Sequence, residues 1–295
     1  MNLITDSQVA QVLSDQPDLI REAVIEAFIE HKANQLRQKK TSLRKRDDDN
    51  ASDRLTSMMG FVGDPPRVVG FKLIGSCSSN PSIGRPRASV FIVLCDPATY
   101  ELQYLVAGTK ISLQRTAEIA VLGVQLMTPR VKKIVIVGNG AIAQAIFSCI
   151  RSRVGEVVDT LTYGRADIKR LGKSGHISAD VVITATSANS PILTNSNLSN
   201  VKFVVNLGLR ELSSDTIAAF DKHIVDDLSS CASQTTPFAD ALRAELIREK
   251  DVRQFSTITN LSLELKSEGR VYFQPSGMVS IDLIAAAKIL ESLNK

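Results

Sequence analysis

Between Asp18 and Leu36 the apolar residues Leu19, Ile20, Ala23, Val24, Ala27 and Phe28 recur at the spacing of one helix face, with charges between them. The segment reads as an amphipathic helix. From Gln38 to Asp53 the chain is charged, polar and almost without apolar residues, so a loop reaching over the surface or across a cleft is expected there. After the turn signal Asp64-Pro65-Pro66, two β-branched-rich runs, Val68 to Ile74 and Ala88 to Cys95, read as strands separated by the Gly- and Pro-containing stretch Asn80 to Arg87. Leu102 to Ala107 is a third strand, and Leu113 to Met127 a helix. This first part has the pattern of an α+β domain.

The pattern changes at Pro129. A continuous apolar run, Ile134 to Val137, leads into a glycine turn and a helical stretch from Ala141 to Val154, and further apolar runs follow at Val157–Leu161, Val181–Thr184, Phe203–Leu207 and His223–Val225. Short, fully apolar strands alternating with helices mark a parallel sheet covered on both faces. The fold class is therefore α/β: a Rossmann doubly wound parallel sheet domain at residues 128–270, plus a discontinuous α+β domain. The latter takes residues 1–127 and, through the apolar helix Ile281 to Leu293, residues 271–295.

Bulk properties exclude more than they select. With 295 residues, 44% hydrophobic and 22% charged, the chain has the length for two domains and an ordinary globular mixture. Its net charge of +4 is small, and the basic run Lys39-Lys40, Arg44-Lys45-Arg46 is answered at once by Asp47-Asp48-Asp49. Nucleic acid is thus not an expected partner, and a solvated loop or a substrate-anion site is. Cys77, Cys95, Cys149 and Cys231 are scattered without a CxxC pair, which favours free thiols over a disulfide framework or a metal site. The opening residues lack the basic and apolar regions of a signal peptide, and no run has the roughly twenty apolar residues of a membrane span. A cytoplasmic protein with no membrane partner is expected.

The motif with most chemistry in it is Ile134-Val135-Ile136-Val137-Gly138-Asn139-Gly140-Ala141-Ile142-Ala143. It is GxGxxA with a strand before and a helix after. Gly138 permits the tight turn, Gly140 the approach of a pyrophosphate to the backbone, and Ala143 close helix–strand packing, with the diphosphate on the helix N-terminus. NAD or NADP is the implied cofactor. At the end of the next strand, Leu161-Thr162-Tyr163-Gly164-Arg165, no acid stands where a ribose 2′-hydroxyl would be held, while Arg165 suits a 2′-phosphate, a lean to NADP. Strand ends face the ligand in such sheets, so Thr184, Ala185, Thr186 and the segment Asn206-Leu207-Gly208-Leu209-Arg210-Glu211 are expected along the cofactor.

Three cations of the first part stand out: Arg44 in the polar stretch, Lys72 within the strand, and Arg115 at the opening of a helix. A lysine amid apolar strand residues is costly to bury unless it meets an anion, and three such cations beside a nicotinamide site suit recognition of substrate carboxylates. Glu211 and Asp227 are the candidate general bases.

With these, the stretches Gly70-Phe71-Lys72, Gly84 to Ser89, Arg115-Thr116-Ala117, the GxGxxA turn, Ala179 to Ser187, and Gly277 with Asp282 resemble, in order, the ornithine cyclodeaminase/μ-crystallin family. Phe71 to Ser76, Pro86 to Ser89, Leu207 to Leu212 and Ile224 to Asp227 resemble most its branch of dehydrogenases that cleave N-(2-amino-2-carboxyethyl)-L-glutamate in 2,3-diaminopropionate synthesis for siderophores or antibiotics. The resemblance implies that the discontinuous α+β domain is the substrate-binding and dimerisation domain of a homodimer, with a small-molecule amino-acid substrate whose carboxylates are held by Arg44, Lys72 and Arg115, Lys72 in catalysis, and Thr116, Leu207 and Gly277 along the cofactor. Where the cyclodeaminases carry a catalytic aspartate this chain has Arg210-Glu211, which argues against ring-closing deamination. Within the family, cyclodeaminase, ketimine reductase and alanine-type dehydrogenase activities are the alternatives. A non-catalytic NADPH-binding protein is the alternative of another class.

Overall fold

The computed structural model describes residues 1–44, 53–128, 130–155, 158–260 and 269–294. They fall into two compact units, Met1–Arg115 with Met278–Lys295, and Thr116–Gly277. The first begins with β1 (Asn2–Ile4), α1 (Asp6–Asp15), α2 (Leu19–Lys32), β2 (Leu36–Arg44), β3 (Arg54–Val62), β4 (Val68–Ser76), β5 (Ala88–Cys95), β6 (Leu102–Ala107) and α3 (Thr109–Met127), within which the division falls. Its sheet runs β1-β6-β5-β4-β3-β2, with β1 parallel to β6 and every other pair antiparallel.

The stretch expected to be a loop is instead a hairpin arm. β2 pairs with β3 over nine residues, Leu36 with Val62 through Arg44 with Arg54, and residues 45–52, including Lys45, Arg46 and Asp47 to Asp49, lie outside the described residues. The polar sequence of β2 belongs to an edge strand. There Arg37, Lys39 and Thr41 face water while Leu36, Gln38 and Lys40 are half-buried on the other side, and the partner strand takes up the backbone hydrogen bonds. The helix before it stops at Lys32, and the chain turns at Asn34, whose φ is 59°. Likewise α3 opens at Thr109, not Leu113, because Ile111 already packs in the core. Arg115 therefore sits in the second turn of α3 and not at its N-terminus.

The second unit holds β7 (Lys133–Val137), α4 (Ala141–Arg153), β8 (Asp159–Tyr163), α5 (Arg165–Leu171), β9 (Val181–Thr184), β10 (Phe203–Asn206), α6 (Ser214–Ala218), β11 (Lys222–Val225), α7 (Leu228–Ala232), α8 (Pro237–Arg243), β12 (Val252–Gln254) and β13 (Val271–Gln274). All seven strands are parallel, in the order β12-β11-β13-β10-β9-β7-β8. β9, β10 and β13 are buried throughout, whereas the edge strand β8 is largely exposed. One face carries Val135, Val137, Val182, Val204 and Tyr272 under Phe220 and Phe238. On the other, Phe273 stacks on Phe203 and Phe255, and Gly123 of α3 admits the Phe273 ring, since a Cβ there would lie 3.0 Å from it. Because β13 lies between β10 and β11, residues 271–277 belong to this unit and not to the returning segment. Residues 116–127 do too.

The last helix, α9 (Val279–Leu293), returns to the first unit and packs on β3, β4 and β5, with α2 and α1 against it. Gly60 permits the approach, since a Cβ there would stand 2.8 Å from Val279. On the opposite face of the sheet the cross-strand pairs Leu43–Leu55 and Leu73–Phe91 are exposed by 71, 65, 46 and 40%.

Candidate functional site

Gly138 follows β7 with φ 129°, and a Cβ there would lie 2.3 Å from the Ala185 carbonyl oxygen. Only glycine fits this turn. Gly140 is the N-cap of α4, has no side-chain cap, and would meet nothing within 4 Å if it carried a Cβ. The first N–H groups of α4, at Ala141 and Ile142, thus open onto free space beside exposed Asn139, while Ala143 is packed inward. Backbone donors at the positive end of a thirteen-residue helix, with room before them, fit a diphosphate. Arg165 is the exposed first residue of α5. The acid nearest this turn, Asp167, accepts a hydrogen bond from the Gly164 N–H at 2.9 Å.

A buried hydrogen-bond chain links the strand ends. Thr184 Oγ1 donates to Asn206 Oδ1 at 2.7 Å, Asn206 Nδ2 to Tyr272 Oη at 2.9 Å, and Tyr272 Oη to Gln274 Oε1 at 2.6 Å. The Ala185 N–H donates to Val137 O and the Leu207 N–H to Thr184 O. These bonds hold Thr184, Ala185, Thr186 and Leu207 at the end of the sheet that carries the glycine turn. Thr116 lies just past the division, in α3.

Glu211 is placed differently from a base. Its carboxylate has no solvent exposure, and it accepts from Thr186 N and Oγ1 at 3.0 and 2.7 Å and from Arg210 N at 3.1 Å. Burial raises its pKa against the pull of those hydrogen bonds. With both oxygens engaged, it braces the loops after β9 and β10. Asp227 caps α7, accepting from Ser230 N at 2.9 Å, which again is a structural task. Its neighbour Asp226, which the sequence reading passed over, is fully buried and accepts from the N–H groups of Asp227, Ser276 and Gly277 at 2.9, 2.9 and 2.6 Å. Asp226 therefore anchors Gly277, whose φ is 92°. Only the inward direction of its side chain separates it from Asp227, and the sequence does not show that.

In the first unit, sheet register puts Lys40, Met58, Lys72 and Ile92 in one row. Lys72 has no solvent exposure. Its Nζ donates to Asp282 Oδ1 at 2.6 Å and to Ser112 Oγ at 2.9 Å. Arg115, 11% exposed, sets Nε 3.5 Å from Asp282 Oδ2, and neither of these two atoms has a hydrogen-bond partner. Burial first, then the Arg115 charge, lowers the Lys72 pKa to about 7, with Asp282 opposing and Lys40 adding a small downward push. Arg44 lies in another row, with Arg54, Ser76 and Ala88. That row is four residues along the strand from Lys72, or about 13 Å at a strand's rise per residue. The structure thus brings Lys72 and Arg115 together around Asp282 and leaves Arg44 apart. Asp282, an acid among Ile281, Leu283 and Ile284 in the first turns of α9, carried the same kind of signal as Lys72.

The ornithine cyclodeaminase/mu-crystallin family model matches residues 6–169, more than half of the chain. Among curated proteins, an N-((2S)-2-amino-2-carboxyethyl)-L-glutamate dehydrogenase of Staphylococcus aureus is 25% identical, over 78% of this chain and 76% of its own. A Delta(1)-pyrroline-2-carboxylate reductase of Burkholderia multivorans is 23% identical, over 75 and 76%. Among solved structures, the Thermococcus litoralis Delta(1)-pyrroline-2-carboxylate reductase in complex with NADH and L-proline superimposes with a TM-score of 0.82 at 18% identity, covering 100% of this chain and 98% of that one. This chain belongs to the ornithine cyclodeaminase/mu-crystallin family.

Proposed function

We propose that the protein is an NAD(P)-dependent oxidoreductase acting on the C–N bond at the α-carbon of an amino acid. The observation that carries this reading is the buried Lys72–Asp282–Arg115 cluster, in a chain that also has a glycine turn and helix N-terminus fit for a diphosphate. A fully buried lysine whose pKa is lowered to about 7 is both acid and base at neutral pH. Arg115 offers a planar, permanently charged group to a carboxylate.

The residues that would hold the cofactor are Gly138, Asn139, Gly140, Ala141 and Ile142 at the diphosphate, with Thr184, Ala185, Thr186, Leu207 and Gly277 along the sheet end. When bound, the nicotinamide ring supplies the hydride acceptor or donor. Arg115 orients the α-carboxylate and so fixes the reacting carbon. Lys72 donates a proton to the imine nitrogen as the α-carbon is reduced, or, in the reverse direction, accepts one from the amine. As neutral amine it also takes the proton from water attacking an imine, so neither Glu211 nor Asp227 is needed as a base.

The substrate we favour is N-(2-amino-2-carboxyethyl)-L-glutamate, cleaved to 2-oxoglutarate and 2,3-diaminopropionate, and the Staphylococcus relative supports it. A second reading, reduction of Δ1-pyrroline-2-carboxylate, draws on the Burkholderia and Thermococcus relatives. Purified protein is to be mixed with each substrate and with oxidised or reduced NAD and NADP, and absorbance followed at the reduced-nicotinamide band. Oxidation-linked cleavage of the first supports our reading, and consumption of reduced cofactor by the second alone selects the alternative. No redox change with either substrate refutes both. Arg165 leads us to expect tighter binding of NADPH than NADH, a preference that Arg165→Ala abolishes.

A further inference from the structure

Asp282 stands in the first turn of α9 with no solvent exposure. An ammonium has three N–H bonds. Two of those on Lys72 end at Asp282 Oδ1 and Ser112 Oγ, which fixes the direction of the third. The groups that act on Lys72 come from three elements: Arg115 and the neutral Ser112 from α3, Lys40 from β2, and Asp282 from α9. Two of them are cations that favour the neutral amine, as burial does. Asp282 is the anion that opposes them, and its second oxygen faces Arg115 Nε.

We propose that Asp282 is the positioning residue of the Lys72 site: it holds the third N–H toward the substrate nitrogen and keeps the transferable proton on the lysine. This rests on the reading of Lys72 as the proton-transferring group. In the reductive direction a nicotinamide cofactor, held at Gly138 to Ile142, would supply the hydride for the new C–H bond at the α-carbon. The C=N π electrons take the Lys72 proton at nitrogen, and the neutral lysine regains a proton from water. Without Asp282 the amine is neutral over more of the pH range, and its lone pair is no longer directed.

The proposal has a readout that needs no turnover. In protein labelled with ¹³Cε-lysine, the resonance lost in Lys72→Met identifies Lys72, and its titration is followed in the wild type and in Asp282→Asn. The expected result is a midpoint lowered by about one pH unit or more in the variant, since a close opposite charge is removed. An unchanged midpoint overturns the proposal. With whichever of N-(2-amino-2-carboxyethyl)-L-glutamate or Δ1-pyrroline-2-carboxylate is turned over, Asp282→Asn is expected to lower kcat by about tenfold or more, with KM little changed. The alkaline limb of the reductive kcat profile moves to lower pH, and adding the substitution to Lys72→Met costs nothing more. Normal kcat in Asp282→Asn beside a dead Lys72→Met sinks the positioning role and leaves the Lys72 reading standing. Normal kcat in Lys72→Met sinks that reading, while the titration still decides the pairing. Should Asp282→Asn fail to fold, Asp282→Glu retains the charge but displaces the oxygen. Its expected loss is again about tenfold in kcat, and full activity overturns the proposal.

Discussion

Lys72 and Glu211 are both ionisable and both without solvent exposure, yet their partners give them opposite uses. Lys72 faces one anion and a second cation, so its proton is loosely held. Its folded pKa of about 7 lies below the ordinary 10.5, so between these values the unfolded chain binds the extra proton. Stability therefore rises with pH across that window, and the full penalty is present below it. Relative to Lys72→Met, wild-type stability by denaturant titration is expected to climb from pH 7 toward 10, by at most about 1.4 kcal/mol per unit. A flat difference would mean an ordinary lysine. Glu211, with each oxygen accepting from a loop N–H, has no such freedom. Glu211→Gln keeps the shape but turns an amide donor toward one of those donors, and should lower stability by about 1–3 kcal/mol. The pH profile of whatever activity remains should not move; a lost limb would restore Glu211 as a base. Lys72 was visible in the sequence as a charge inside an apolar strand. That it pairs with Asp282 was not, because Asp282 lies 210 residues away and only packing joins them.

At the scale of elements, the glycine turn and α4 were legible because strand, turn and helix are adjacent in the chain and each glycine has a local reason. This makes Gly140 a clean probe. A side chain there meets nothing, and aspartate is a better N-cap than glycine, so Gly140→Asp should leave the melting temperature unchanged or slightly raised. The same carboxylate occupies the diphosphate position with the wrong sign, and the NADH or NADPH Kd, read by fluorescence, should rise by about tenfold or more. Unchanged affinity would move the cofactor elsewhere. The β2–β3 hairpin was illegible for the converse reason. β2 has no apolar period of its own, and its strand character comes from nine pairings with β3. α3 begins one turn before the apolar period that marks it, at Thr109, so Arg115 stands inside the helix and not at its end.

At the scale of the whole molecule, the apolar pairs Leu43–Leu55 and Leu73–Phe91 lie exposed on one sheet face. Contiguous exposed apolar surface of this kind marks an association site. We expect a second copy of the chain to cover it. Light scattering on a sizing column should find a dimer, and Leu55→Lys with Leu73→Lys should shift it to monomer while the far-UV spectrum is kept. A wild-type monomer at micromolar concentration would refute this.

By itself the sequence determined the parallel, doubly wound sheet, the glycine turn before α4, and that a lysine in a buried strand must meet an anion. Each of these follows from residues within a few positions of one another, through period, turn geometry or the cost of burying charge. Tertiary structure decided the rest: that β13 enters the middle of the seven-stranded sheet, that Asp226 and not Asp227 holds Gly277, that Glu211 is a brace, and that Lys72 and Arg115 share Asp282 while Arg44 stands apart. These depend on which distant segments pack together and on which way a side chain points once they do. No local pattern encodes either.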